Sequence, residues 1–203
     1  GVRAGGREPP GYSISQGTTM IPILSSERLV LEPFRMADAP LVQQYAGDAQ
    51  VAMTTLNVPH PYPEDAAEKW IASHLPQFLD RRNVVFSIRS LQDEVYGAIN
   101  LSLCMQDQRG ELGYWIGVPY WNKGICTEAT ARIIKYGFDE LGLNKIYARH
   151  LTVNPASGRV MEKNGMMREG IQQGHVKKDG VFMDVYEYGI LRQITKSANH
   201  SRH

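Results

Sequence analysis

Apolar residues recur along the chain with two periods, one typical of strands and the other typical of helices. The alternation of the two patterns, clearest in the second half, predicts a single mixed α/β domain. The predicted strands are residues 28–32, 83–89, 95–104, 111–116, 145–153, 166–172 and 181–191, with residues 175–178 leading into the last turn. The predicted helices start at Asp38 and near Pro63 and span residues 127–141 and about 156–163.

Residue types at the helix ends support these assignments. Asp38 is predicted to cap the first helix, with Pro40 in its first turn, and Gly142 is predicted to end the third. In the second helix, Pro76 should produce a kink or a break. The apolar face of this second helix is predicted to consist of Trp70, Ile71, Leu75, Phe78 and Leu79.

Both ends of the chain differ in composition from this central part. Gly, Arg, Pro, Ser and Thr dominate residues 1–20, and the last residues are polar. Such segments cannot bury enough apolar surface to offset the entropy lost on ordering. We therefore expect flexible tails at residues 1–22 and 194–203 around a domain at residues 23–193. Met20 is a candidate natural start, and no apolar secretory segment follows the early arginines.

Composition and charge narrow the function classes. Of 203 residues, 42% are hydrophobic and 21% are charged, and the net charge is +1. This balance gives no electrostatic case for nucleic acid or an anionic membrane as a partner. Because Cys104 and Cys126 form no CxxC pair or close Cys/His cluster, we expect neither a disulfide scaffold nor a metal site. No apolar run reaches the ~18–20 residues of a membrane span, so we expect a soluble, cytoplasmic protein.

A glycine-bearing turn joins a predicted strand to a predicted helix in residues 111–134, ELGYWIGVPYWNKGICTEATARII. This order places free backbone N–H groups near residues 123–128 at a helix N-terminus, which favours an anion by ~0.3–1 kcal/mol. Gly124 allows close approach of the main chain to a ligand, and Lys123 adds a positive charge. The segment contains neither GxxxxGK[ST] nor GxGxxG, which excludes two common phosphate loops. The alternative interpretation is an ordinary turn capped by Thr127.

The same segment resembles the signature loop of the GNAT superfamily, the acyl-CoA-dependent N-acyltransferases. In that superfamily a strand leads into a Q/R-x-x-G-x-G/A loop whose amides hold the coenzyme A pyrophosphate. The matching hexad here keeps the middle glycine, Gly124, but has Trp121 at its first position and Cys126 at its last. The GYW strand, the YW pair and the TEA helix start are similar to the RimJ/RimL branch. The resemblance extends over about residues 26–192.

This resemblance implies a single domain with a mixed, largely antiparallel sheet that is flanked by helices and splayed at an acyl-CoA site. It implies acetyl-CoA as the donor, no metal, and a backbone N–H near residues 115–117 that polarises the thioester carbonyl. The residues implied to bind coenzyme A are Ile116, Gly117, Trp121, Asn122, Lys123, Gly124, Ile125, Cys126, Thr127, Asn154 and Ser157.

The second informative segment is TVNPASGRVMEKNGM, residues 152–166. Its residue types alone predict a helix that is capped by Asn154, has Pro155 at its first position and ends before Gly165. The resemblance implies that the acetyl-CoA thioester lies near the N-x-x-[AS] pattern. Met161 stands where many superfamily members carry a tyrosine acid, whereas Ser157 matches the serine proposed as the acid in RimJ/RimL-like members. The alternative for Ser157 is a hydroxyl that only caps the helix or binds coenzyme A.

The acceptor amine must lose a proton to attack the thioester. At pH 7, deprotonation costs roughly 4–5 kcal/mol for a lysine side chain but only about 1–1.4 kcal/mol for an α-amine. Glu111, the glutamate before the GYW strand, is the leading base candidate, acting directly or through water. His175 is the alternative base. Each of the two could instead be a solvated surface side chain.

The implied activity is acetyl-CoA-dependent N-acetylation of a primary amine, and the low cost of an α-amine favours a protein N-terminus as acceptor. The alternatives are a small-molecule amine, such as an antibiotic or a polyamine, and a non-catalytic acyl-CoA-binding module. We expect the acceptor to enter beside the first two helices and the loop before the last strand, so residues 48–63 and 172–180 should govern its choice. We expect a monomer or a homodimer.

Overall fold

A computed structural model describes residues 20–193. The strands are β1 (Leu24–Ser25), β2 (Leu29–Glu32), β3 (Asn83–Ser90), β4 (Val95–Cys104), β5 (Arg109–Ile116), β6 (Lys145–Leu151), β7 (Met167–Lys178) and β8 (Val181–Leu191). The helices are α1 (Ala39–Ala46), α2 (Ala49–Thr54), α3 (Ala66–Leu79), α4 (Ile125–Asp139) and α5 (Pro155–Lys163). The strands form one eight-stranded sheet of order β1-β2-β3-β4-β5-β6-β8-β7. Only β5 and β6 pair in parallel within this sheet of the described residues.

Helices cover both faces of the sheet, and each face has its own hydrophobic cluster. α4 and α5 pack on one face, where Ile133, Ile146 and Met161 are at most 1% exposed. α1 and α3 pack on the other face around Val42 and Trp115. Because β3 lies between the two clusters, its residues alternate between two dry faces, which explains why all but its first residue are buried.

The parallel strands β5 and β6 separate before either of them ends. Their ladder stops at Leu112 and Ala148. Beyond that point β5 continues along β4 as far as Ile116, and β6 continues along β8 as far as Leu151. The two strands therefore diverge and leave an opening in the sheet. The mixed, largely antiparallel and splayed sheet that the family resemblance implies is confirmed.

The two helices near the chain start differ from their predictions. Asp38 precedes α1 but does not cap it, because its carboxylate pairs with the guanidinium of Arg89, whose side chain is only 3% exposed. A buried cation requires such a partner. The short helix α2 was not predicted, since six residues are too few to show a helical period; Asp48 caps it by accepting from the Gln50 N–H at 2.8 Å.

α3 differs in its start, its apolar face and its continuity. It begins at Ala66 and runs unbroken through Pro76, which lies in the last turn, so its missing N–H removes one hydrogen bond near an end. Leu75 and Leu79, predicted on the apolar face, are 46% and 53% exposed. The buried positions are Ala67, Ile71 and His74.

Other element boundaries also shift. α4 begins two residues before Thr127, because Gly124 occupies the N-cap position. The segments predicted at residues 166–172 and 175–178 form one bulged strand, β7, which turns into β8 at Asp179 and Gly180. The tail residues 1–19 and 194–203 lie outside the described residues, whereas Ile21, predicted in the first tail, packs in the core.

Candidate active site

A cavity of about 700 Å³ opens where β5 and β6 separate. Val85 and Trp115 line it from the face under α1 and α3, and Ile125 and Met161 line it from the face under α4 and α5. The cavity therefore passes through the sheet. The predicted site residues that it brings together are Glu111, Ile116, Trp121, Asn122, Lys123, Gly124, Ile125, Cys126, Thr127, Asn154 and Ser157.

The loop before α4 turns the chain sharply toward this cavity. Asn122 and Gly124 have φ angles of +61° and +74°, in the left-handed region that glycine adopts without steric cost and asparagine tolerates. The first backbone hydrogen bond of α4 runs from the Glu128 N–H to the Gly124 carbonyl at 3.1 Å. The N–H groups of residues 125–127 consequently have no partner within the helix and are available to an anion.

Cationic side chains line the same region. Lys123 lies in the loop, and Arg159 and Lys163 lie four residues apart on α5. The Asn164 side chain donates to the Thr127 carbonyl at 3.2 Å, which holds the end of α5 beside the start of α4. Three cations and the free amides of a helix N-terminus match the pyrophosphate and phosphate groups of coenzyme A.

The last residue of the loop hexad, Cys126, is an uncharged thiol. Burial raises the pKa of Cys126 to about 12, so the thiolate form is negligible at neutral pH. Cys126 is therefore suited to filling space beside the loop and is not suited to nucleophilic attack.

Gly117 was also predicted in the site but does not line the cavity. Its N–H donates to the Tyr96 carbonyl at 2.9 Å, in the direction of β4. Because successive N–H groups of a strand point to opposite sides, those of Tyr114 and Ile116 point toward the opening. The Ile116 carbonyl, on this same side, accepts from the Trp121 indole at 2.7 Å. The amides of Tyr114 and Ile116 are therefore the candidates for polarising a thioester oxygen.

Ser157 lies in the first turn of α5, and Asn154 caps this helix as predicted. The Asn154 side-chain oxygen accepts from the Ser157 N–H at 3.3 Å. The Ser157 hydroxyl is 2.8 Å from the hydroxyl of Tyr114. Burial raises the pKa of Tyr114 far above its ordinary value, so this phenol keeps its proton. Tyr114 was not predicted as a site residue. The pattern that could have indicated it is its alternation with Leu112 and Ile116 along β5, which directs its side chain to the face that α5 covers.

Glu111 lines the cavity as half of an ion pair. Its Oε1 accepts from the Nε and Nη2 atoms of Arg149 at 2.9 and 2.7 Å, and its Oε2 accepts from the Tyr147 hydroxyl at 3.2 Å. His175 lies outside the lining, on the exposed strand β7, where its Nε2 is 2.7 Å from Arg149 Nη1. Since a guanidinium only donates, His175 Nε2 accepts in this contact. Arg149 was not predicted as a site residue, although it contacts both candidate bases, Glu111 and His175.

The end of α2 and the segment after it, residues 54–59, line the side of the cavity where we expect the acceptor amine to enter. The Asn154 amide donates to the Thr54 carbonyl at 2.9 Å. The Lys178 ammonium, from the end of β7, donates to the carbonyls of Ala52 and Thr55. Parts of both segments expected to govern acceptor choice, residues 48–63 and 172–180, are thus joined to each other.

Comparison with known proteins identifies the chain at the level of its family. The profile described as acetyltransferase (GNAT) domain matches residues 28–167, which is most of the chain. The chain belongs to the GNAT acetyltransferase family. It is therefore an N-acetyltransferase with acetyl-CoA as donor. In residues 20–193 there is no cluster of metal-ligating side chains, and no helix is long and apolar enough to cross a membrane.

Individual GNAT relatives agree with this assignment. The Bacillus licheniformis protein named uncharacterized N-acetyltransferase p20 is 30% identical over 172 residues, which are 84% of this chain and 96% of that protein. Two more distant solved structures share the fold. The RimL ribosomal L7/L12 α-N-protein acetyltransferase with coenzyme A has a TM-score of 0.77 at 17% identity, covering 84% of this chain and 98% of that chain. The spermidine N-acetyltransferase of Vibrio cholerae with coenzyme A and spermine has a TM-score of 0.71 at 20% identity. The match covers 80% of this chain and 95% of that chain.

Proposed function

We propose that this GNAT enzyme acetylates the α-amine of a peptide or protein N-terminus, as a cytoplasmic member of the RimJ/RimL-like branch. The supporting observation is the charge of the cavity wall. Among the described residues that line the cavity, Glu111 is the only carboxylate, and Arg149 balances it at 2.7 Å. A polyamine or an aminoglycoside carries several ammonium groups, each of which needs an anionic partner when it leaves water. A wall without a free carboxylate suits an acceptor with one weakly basic amine.

The fold does not favour one acceptor class over another. RimL, whose name specifies a protein α-amine, and the spermidine acetyltransferase have similar TM-scores to this chain. The argument for an α-amine therefore depends on the cavity wall and on the cost of deprotonation. An α-amine is neutral in a substantial fraction at pH 7 and needs little help from a base.

The donor-binding roles are assigned to the face covered by α4 and α5. In this proposal the amides of residues 125–127, together with Lys123, Arg159 and Lys163, bind the phosphates of acetyl-CoA. The opening between β5 and β6 holds the pantetheine arm. The Ile116 N–H then donates to the thioester oxygen and stabilises the negative charge that develops there during attack.

The transfer step requires one proton to leave the amine and one to reach the sulfur. In this proposal Glu111 removes the amine proton through a water molecule, using the lone pairs that Arg149 and Tyr147 leave free. The amine nitrogen bonds to the acetyl carbon, and the carbon–sulfur bond breaks. Ser157 donates its hydroxyl proton to the departing thiolate and takes one from Tyr114, which recovers its own from solvent. Orientation of the two substrates supplies most of the acceleration.

The proposal is tested by thiol release from acetyl-CoA with a panel of amines. We expect turnover with peptides that have a free α-amine and little turnover with spermidine or aminoglycosides. The matched control is the same peptide with its N-terminus acetylated and one lysine side chain left free. Preferential turnover of polyamines or aminoglycosides would identify the small-molecule alternative. Tight coenzyme binding without release for any amine would instead indicate an acyl-CoA-binding module.

A further inference from the structure

A chain of side-chain hydrogen bonds runs from α3 to the acceptor side of the cavity. The Ser73 hydroxyl is 2.7 Å from the Trp70 carbonyl, and the Gln77 amide nitrogen is 2.9 Å from the Ser73 oxygen. The Asn83 amide nitrogen is 3.1 Å from Gln77 Oε1, and the Asn100 amide nitrogen is 3.0 Å from Asn83 Oδ1. The chain thus crosses from a helix to two neighbouring strands.

The first contact sets the direction of the whole chain. A carbonyl only accepts, so the single hydroxyl proton of Ser73 is donated to the Trp70 carbonyl. The Ser73 oxygen can then only accept from Gln77. Gln77 must then present its nitrogen to Ser73 and its oxygen to Asn83. By the same logic, Asn83 presents its oxygen to Asn100. Asn100 therefore donates from its nitrogen into the chain, and its Oδ1 points the other way.

The free oxygen of Asn100 is located where the sheet opens. Gly113 is the first residue of β5 beyond the ladder with β6, and a Cβ built on it would lie 2.7 Å from Asn100 Oδ1. Asn100 and Gly113 both line the cavity. The remaining N–H of Asn100 is directed to the Ser102 hydroxyl at 3.3 Å, whereas no donor in residues 20–193 contacts Oδ1. Asn100 Oδ1 is thus a fixed hydrogen-bond acceptor without a partner, and it lies at the end of the opening where we expect the amine substrate.

We propose that Asn100 binds the acceptor amine through its Oδ1, in an orientation fixed by Ser73, Gln77 and Asn83. This inference depends on the proposed function, because it assigns a partner to the amine that is acetylated. An amine that attacks through its lone pair directs its N–H groups away from the acetyl carbon, and one of them would donate to Oδ1. A neutral amide is well suited to this task. A carboxylate in direct contact with the amine would stabilise the ammonium form, whereas Glu111 acts through water and its charge is balanced by Arg149.

Asn100→Ala and Gly113→Ala test the contact directly. The first removes the oxygen, and the second displaces it with a methyl group while leaving Asn100 chemically intact. We expect kcat/KM for a peptide with a free α-amine to fall about ten- to hundredfold in both variants, as for a lost hydrogen bond to a charged or reacting group. The Kd for coenzyme A, measured by calorimetry, should stay within about twofold. Unchanged kcat/KM in both variants would overturn the proposal.

Ser73 tests the orientation without touching the substrate, because neither Ser73 nor Gln77 lines the cavity. Without the Ser73 hydroxyl, the three amides are free to reverse and present an N–H in place of Asn100 Oδ1. We expect Ser73→Ala to lower kcat/KM for the amine several-fold and Ser73→Thr, which keeps the hydroxyl, to restore it. A loss that Ser73→Thr does not restore would contradict the orientation role.

The two proposals can fail separately. If the wild-type enzyme releases no thiol with any peptide, the proposed function fails before the variants are compared. If the wild type is active and the Asn100 and Gly113 variants equal it, only the assignment of Asn100 fails. Should Asn100→Ala prove unfolded by its melting temperature, the Ser73 pair decides the question in the same assay.

Discussion

Ser157 acts in the proposed reaction through a contact that its own helix does not determine. Its hydroxyl meets the Tyr114 hydroxyl at 2.8 Å, although the two residues are 43 positions apart. Because burial raises the pKa of Tyr114, the phenol stays protonated over the whole working range of pH. In the proposed reaction Ser157 passes its proton to the sulfur and regains one from Tyr114.

Ser157→Ala should lower kcat by about 10²-fold, which is the lower end of general acid contributions, since water or Tyr114 remains to deliver a proton. The Kd for coenzyme A should change little. Steady-state rates and calorimetry check this expectation. Tyr114→Phe is the matched control, because it keeps Ser157 and should cause a smaller loss of kcat. A Ser157→Ala variant with weakened coenzyme binding and normal kcat would make Ser157 a binding residue.

Individual residues of the site could be predicted where a local motif carries them. Asn154 follows from cap chemistry and has the predicted role, whereas Gly124, predicted in the turn for close approach to a ligand, occupies the N-cap of α4. Arg149 and Tyr114 could not be predicted, because their importance arises from contacts across strands and helices. Only the folded arrangement shows that Glu111 is an ion-pair partner.

At the scale of elements, the start of α4 sets the direction of the free amides that we propose to bind the donor. Gly124 takes φ of +74° at the N-cap, and this conformation directs the next amides at the cavity. Its side-chain position is nearly open, since the nearest atom to a built Cβ is Arg28 Nη2 at 3.4 Å. The requirement for glycine is therefore conformational rather than a matter of space.

Gly124→Ala should weaken coenzyme A binding, whereas Gly142→Ala should not. Gly142 has a similar φ of +69°, has no atom within 4 Å of a built Cβ, and lies outside the cavity lining. Both variants should lose about 1 kcal/mol of unfolding free energy from left-handed strain. Denaturant titrations and calorimetry separate the two effects. Equal coenzyme affinity in the two variants would show that the loop conformation does not contribute to binding.

Most elements could be predicted from periodicity and cap residues, and the failures have physical causes. α2 is shorter than two helical turns, so its pattern could not be distinguished from a loop. The exposed leucines of α3 mimic an apolar face that the fold does not use. Positions 166–178 show an interrupted pattern because bulges shift the register of β7.

At the scale of the whole molecule, one buried histidine couples the packing of α3 to pH. His74 is 4% exposed, its ring lies 4.4 Å from that of Trp70, and neither ring nitrogen has a partner in the described chain. Burial lowers the pKa of His74 to about 4. His74 therefore stays neutral in the native state at pH values where the histidine of the unfolded chain, with a pKa of about 6.5, is protonated.

The unfolding free energy should fall as the pH decreases from 6.5 toward 4, by roughly 2 kcal/mol between pH 7 and pH 5 from His74 alone. His150, whose pKa burial also lowers, adds in the same direction. Urea titrations at both pH values measure the difference. His74→Phe, which retains an aromatic ring beside Trp70 and Phe34, should remove most of this slope. An unaltered slope would mean that other groups carry the acid sensitivity.

The sheet order shows what sequence patterns leave undetermined at this scale. Periodicity predicts β5 and β6 separately, but their parallel pairing and early separation depend on β4 and β8 at their outer edges. The family resemblance supplied the splayed sheet. No pattern within the residues themselves indicates that two strands will separate after four paired positions.

An opening that passes through the sheet has a kinetic consequence. If the donor occupies the side under α4 and α5 and the amine reaches the other side, neither has to leave before the other arrives. Initial-rate lines at several fixed acetyl-CoA concentrations should therefore intersect, as for a sequential mechanism, and parallel lines would contradict it. No acetylated enzyme is expected, in keeping with the protonated Cys126 thiol. With the two products on opposite sides of the sheet, the order of their release is free to differ from the order of binding.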